Sequence, residues 1–83
     1  MALTKKTLKQ TFEKARDLNM PYVFVVIRAE GVDEAIVIPE RSFDDKEKFY
    51  MNAYNDDLSH VMNKNVYIRG LSFGSEKELP RVI

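Results

Sequence analysis

The chain has no cysteine, no tryptophan, one histidine, and only three glycines and three prolines. Without cysteine there is no disulfide framework, no thiol nucleophile and no zinc site built on thiolates. Long apolar runs are missing too: the longest, Tyr22 to Ile27, is far shorter than the roughly 20 residues that span a bilayer. The basic start, Met1-Ala2-Leu3-Thr4-Lys5-Lys6, leads into a polar-apolar mixture, so neither a leader nor a membrane segment is expected. Net charge is also absent, with 13 Lys and Arg against 13 Asp and Glu. A neutral chain lacks the strongly basic profile of a nucleic-acid module unless its charges are segregated. The expectation is a soluble protein of a reducing compartment, the cytoplasm, with no membrane partner.

What is present is 83 residues with 45% hydrophobic content, enough for one domain over residues 1–83 and a single core. Thr4 to about Leu18 reads as a helix: Thr4 caps it, and Leu8, Phe12 and Ala15 follow at spacings of four and three. Asn19-Met20-Pro21 ends it. Tyr22 to Ala29 is β-branched and aromatic, a strand, and Glu30-Gly31 turns it back into a second strand around Ala35 to Ile38, ended by Pro39. Ser42 then caps a second helix with Asp44, Asp45 and Glu47 in its first turn. The stripe Phe43, Tyr50, Tyr54, Leu58 and Val61 predicts one long or kinked helix reaching Met62. Val66 to Phe73 is a third strand, and a polar tail starts near residue 75. No repeat or low-complexity segment interrupts the chain. The order α-β-β-α-β predicts a small α+β domain with a three-stranded antiparallel sheet, strand order 2-1-3, and two helices.

Both faces of that sheet read as apolar. Val23, Val25 and Ile27 oppose Tyr22, Phe24 and Val26 on the first strand, and Ala35 and Val37 oppose Ile36 and Ile38 on the second. On the third, Val66 and Ile68 are expected to oppose Tyr67, Leu71 and Phe73. Each exposed Phe, Val or Ile forgoes about 1.5–3 kcal/mol of burial. Either the helices take one face each, or a partner covers the second face, and chains of this size often need such help.

The neutral total conceals blocks of +4 over residues 1–28, −6 over 29–59 and +2 over 60–83. Lys5, Lys9 and Arg16 lie within about 40° of one another on the first helix, with Lys6 close by in sequence. They make either a basic ridge for phosphate backbones or a solvated helix edge. Gly70-Leu71-Ser72-Phe73-Gly74 spells the nucleophile elbow of α/β-hydrolases, but 83 residues cannot supply that fold, and His60 precedes Ser72 in the chain. It reads as a strand end. Asp56 and His60, four apart on a continuing helix, suggest a metal or acid-base pair that finds no third group. Phe49 and Ala53 project away from the main stripe of the second helix, a candidate protein-contact patch. Aromatics interleaved with Arg28 and Arg69 on the first and third strands lack the signature of an RNA-binding sheet and read as core packing.

The sequence therefore points to a non-enzymatic interaction or regulatory module, self-associating as a homodimer, with no cofactor and no metal. Its candidate contact residues are Phe49, Tyr50, Ala53, Phe24 and Val26. The alternative is nucleic-acid binding through Lys5, Lys6, Lys9 and Arg16, and a hydrolase or metal enzyme around Asp56, His60 and Ser72 is a distant third.

Overall fold

The computed structural model describes residues 3–76, so the end of the expected polar tail, residues 77–83, lies outside the described residues. Helix α1 spans Lys5–Asp17, β1 Tyr22–Ala29, β2 Val32–Pro39, α2 Phe43–Ala53, β3 Ser59–His60 and β4 Asn63–Gly74. The sheet is antiparallel with order β2-β1-β4-β3, so it has four strands where three were expected. The three long strands keep the anticipated arrangement, with the first at the centre, and a two-residue strand is added beside β4.

Local chemistry accounts for most boundaries. Thr4 and Thr7 cap each other's backbone at the start of α1. At its end Asn19 takes a left-handed φ of 55°, and the Met20 and Asn19 amides bond back to the carbonyls of Ala15 and Arg16. Glu30 and Gly31 both have positive φ, 53° and 81°, the two-residue turn whose twist matches a hairpin. Ser42 stands at the start of α2 as expected, yet its side chain makes no capping bond, because a 3-10 turn over Glu40–Ser42 leads into the helix.

The long second helix does not exist. α2 stops at Ala53, and Tyr54 is extended and bridges to His60. The Asn55 amide donates to Ser59 O, and the Asp57 carboxylate accepts from the amide and hydroxyl of Ser59 at 2.9 and 2.6 Å. Those hydrogen bonds hold Asp57 below the usual carboxylate range, the hydroxyl of Ser59 contributing most. Leu58, fully buried, sits at φ 63°, a left-handed conformation that a branched side chain rarely adopts. Its burial beneath β4, whose Ile68 amide donates to Leu58 O, holds the turn there. Val61, expected on the helical stripe, is exposed in the β3–β4 turn.

Both helices lie on one face of the sheet. The core joins Leu8, Phe12 and Ala15 of α1 and Phe43 and Tyr50 of α2 to Val23, Val25, Ile38 and Ile68, with Tyr54 and Leu58 closing one end. Phe12 and Phe43 meet edge to face at 5.6 Å. A bulge at Arg69 corrects the expected facing of the last strand. Ile27 pairs with Ile68 and Val25 with Leu71, so Leu71 and Phe73 join Ile68 on the helix side. The outer side of β4 is left with Tyr67, Gly70, Ser72 and Gly74.

Candidate functional site

The outer face presents Tyr22, Phe24 and Val26 of β1, Ala35, Val37 and Pro39 of β2, and Tyr67 of β4. No helix residue belongs to this side, and Val37 and Tyr67 are exposed. Phe24 is the exception. It is fully buried, and a Cβ on Gly74 would stand 3.3 Å from its ring, so the ring lies down against that glycine. Gly70 receives Val26 in the same way, at 3.2 Å. The small residues of the G-x-S-x-G stretch therefore seat neighbouring side chains.

Charge brackets this face at one end. Asp33 holds Arg69 at 2.8 Å and Arg28 at 3.6 Å, and the bulge is what turns Arg69 towards them. At the other end Tyr22, Val37, Pro39 and Arg41 line an open groove of about 340 Å³. Arg41 takes part in no ion pair among the described residues.

The sequence-derived contact candidates separate. Tyr50 is buried, and burial, with smaller contributions from Tyr54 and Glu34, pushes its hydroxyl up to about 12. It offers no surface, and neither does Phe24. Val26 and Ala53 are half-buried. Phe49 is 55% exposed, edge to face on Tyr50 at 5.2 Å, with the Lys46 ammonium 5.6 Å from its ring centre. On α2, Asp44 and Glu47 turn to α1, while Lys46, Phe49 and Ala53 occupy the opposite flank. The start of α2 follows directly from β2, whereas its end lies by the other edge of the sheet, where the Val61 amide donates to Ala53 O.

The basic ridge is broken up as well. Arg16 is clamped between Asp44 and Glu47, each at 2.7 Å, with its guanidinium 5.9 and 6.0 Å from the Phe12 and Phe43 ring centres. Burial pulls its pKa down, but the hydrogen bonds and charges of Glu47 and then Asp44 outweigh that, so it stays raised. Lys5 is half-buried, and its amide donates to Asp56 O. Lys6 and Lys9 remain exposed, and Lys9 lines a groove of about 410 Å³ shared with Asp44, Glu47, Lys48, Met51 and Asn52, a surface of mixed sign.

Asp56, His60 and Ser72 do not assemble. Asp56 lies in a turn, not on a helix with His60, and His60 Nδ1 accepts from the Met62 amide at 3.0 Å, so that nitrogen carries no proton. Ser72 stands nine residues along β4 from Asn63, the pairing partner of His60, about 30 Å away. Among the described residues no three His, Cys, Asp or Glu side chains cluster, and no helix is long and apolar enough to cross a membrane. Sequence reasoning missed Val37, Pro39 and Tyr67 as surface, and Asp33 as the partner of Arg28 and Arg69. The alternation of β2 carries the signal for Val37, whereas the bulge behind the Arg69 contact has none.

Compared with protein-family models, curated proteins and solved structures, the chain matches none.

Proposed function

We propose that this chain is a non-catalytic interaction module that acts through protein contacts made by its sheet and that self-associates. One observation carries the reading: both helices cover the same face, leaving Tyr22, Val26, Val37, Pro39 and Tyr67 on a side where no described helix packs. Val37 and Tyr67 are 39% and 38% exposed and the others half-buried, so a partner covering this band gains only a fraction of the about 1.5–3 kcal/mol that full burial of each large side chain would give. The sequestration of Arg16 and the mixed charge around Lys9 weigh against a phosphate-backbone ligand. The dispersal of Asp56, His60 and Ser72 weighs against catalysis.

Sedimentation velocity on the full chain tests this reading. A species of twice the 9.7 kDa chain mass is expected at high micromolar concentration. A single 9.7 kDa species throughout that range overturns self-association.

A further inference from the structure

The long free edge of the sheet is β2, eight residues paired in unbroken register with β1 on one side and with no described strand on the other. The opposite edge is covered only in part: β3 pairs with β4 at Tyr67 and Asn63 and the Ile68 amide donates to Leu58 O, while Arg69–Gly74, which carry the bulge, have no described strand on that side. Unpaired edges are commonly blunted by bulges, short length, charged side chains or proline; β2 has no bulge over eight residues, and its charges, Asp33 and Glu34, and its proline, Pro39, leave Ala35 to Ile38 apolar between them.

Its hydrogen-bonding groups can be assigned by parity. The Glu40 amide donates to Pro21 O at 2.9 Å, so even-numbered residues of β2 turn their amides towards β1. The odd-numbered residues Asp33, Ala35, Val37 and Pro39 therefore point outward. Pro39, which has no N–H, falls on the free side, the place where a strand tolerates proline. The edge thus offers three amides, from Asp33, Ala35 and Val37, and their three carbonyls, while that of Pro39 already caps the following 3-10 turn.

We propose that two copies of this chain join β2 to β2, antiparallel, about a two-fold axis at Ile36, extending one sheet across the dimer. The proposal rests on the self-association read above but places its joint at the edge of the sheet, leaving the outer face for a further partner. In this register Ala35 exchanges both backbone bonds with the partner's Val37, and the Asp33 amide meets the carbonyl of the partner's Pro39. The Ala35 and Val37 amides of each strand find free acceptors, and the Asp33–Pro39 pairs, where the donor is missing and the carbonyl is shared with the 3-10 turn, fall at the ends of the ladder. Side chains match too: Ile36 meets the partner's Ile36, and Ala35 meets the partner's Val37. Sliding by two residues sets Asp33 against the partner's Val37 in one direction, and Glu34 against the partner's Glu40 in the other. Arg41, without an ion pair among the described residues, comes diagonal to the partner's Asp33.

A second surface converges on the same joint. Lys46 and Phe49 lie on the flank of α2 turned away from α1, in the part of the helix that follows from β2, whereas Ala53 sits by the β3–β4 turn, its carbonyl accepting from the Val61 amide. Two-fold pairing brings that flank against its own copy, and the exposed ring of Phe49 lies at the seam. The sequence pattern that marked Phe49 and the edge geometry of β2 thus select one interface.

The test combines sedimentation with amide exchange on the wild-type chain and on Ala35→Pro, Phe49→Asp and Tyr67→Asp. Ala35→Pro removes only an outward-facing amide, and Phe49→Asp alters an exposed residue, so both variants are expected to fold. Each is expected to weaken dimerisation by about tenfold or more, because two ladder bonds or an apolar seam are lost per dimer. Tyr67→Asp, away from the seam, is expected to dimerise as the wild type does. In the wild type the Ala35 and Val37 amides gain protection with concentration, while those of Ile36 and Ile38 are protected at every concentration. Should Ala35→Pro fail to fold, the exchange pattern and Phe49→Asp decide alone. A wild-type dimer that ignores both edge variants but yields to Tyr67→Asp overturns the edge joint and leaves self-association standing. Outward amides protected independently of concentration assign the edge to the chain's own residues and also overturn it. A strictly monomeric wild type removes the broader reading itself.

Discussion

Replacing Arg16 by methionine removes a cation from a position that sequence alone left as either a basic ridge or a solvated helix edge, and the structure makes its cost calculable. The guanidinium contacts Asp44 and Glu47 at 2.7 Å each, but the two carboxylates differ in exposure, 94% against 17%. The Asp44 contact is screened and worth a few tenths of a kcal/mol, while the sheltered Glu47 contact is worth about 1 kcal/mol. Placement near the Phe12 and Phe43 rings, at the outer limit of the cation–π range, adds about 0.5 kcal/mol. Methionine preserves much of the apolar stem and adds no large packing loss, so the expected loss is about 1.5–2 kcal/mol, a fall in Tm of roughly 6–16 °C for a chain of this size. Thermal denaturation followed by circular dichroism measures it. A double-mutant cycle with Glu47→Gln isolates the pair and is expected to return a coupling of about 0.5–1 kcal/mol. Arg16→Met as stable as the wild type, with no coupling to Glu47, would refute the clamp and return Arg16 to the solvated ridge.

Other consequences concern the core and its strained turn. Burial raises Tyr50 from 10.0 to about 12, so the unfolded chain ionises this group first and stability falls as pH climbs from 10 towards 12. A spectrophotometric titration is expected to show a late tyrosinate component that shrinks in Tyr50→Phe, the part due to Tyr54, which burial also raises, remaining, and a titration unchanged by that substitution contradicts the burial argument. Leu58→Ala is expected to cost about 3 kcal/mol, since it empties a fully buried site while keeping an unfavourable φ of 63°. Leu58→Gly relieves about 1 kcal/mol of that strain. It should therefore be no less stable than the alanine variant in urea denaturation, whereas a markedly weaker glycine variant would show that the turn is unstrained.

How far the fold was legible depended on whether each signal was local. Thr4, Asn19 and the Glu30-Gly31 pair act within four residues of themselves, and the boundaries they imply stand. The stripe Phe43, Tyr50, Tyr54 and Leu58 identified buried residues correctly but assigned them the wrong path. Leu58 reaches the core from a left-handed turn, because strand pairing and the Asp57–Ser59 bonds outweigh helix continuation. Phe49 was legible as surface because a helical projection needs only spacing. Tyr50 lies on the buried stripe by the same projection, and so is no contact residue. Phe24 was misjudged as surface: it is fully buried, and its ring takes the space left by Gly74, fifty residues away on the neighbouring strand.

The amino-acid sequence by itself determined the elements whose causes are short-ranged: one capped helix, a tight hairpin of two apolar strands, an acidic start to a second helix and the absence of thiol chemistry. It also determined that both sides of the sheet would be apolar, because alternation along a strand is a property of spacing. Only the tertiary structure decided that both helices share one face, that a bulge at Arg69 turns Leu71 and Phe73 inward, and that Arg16 is held by Asp44 and Glu47. The physical reason is common to all three. Each depends on which distant surfaces compete for the same apolar area or the same charge, and that competition is settled only when the chain packs.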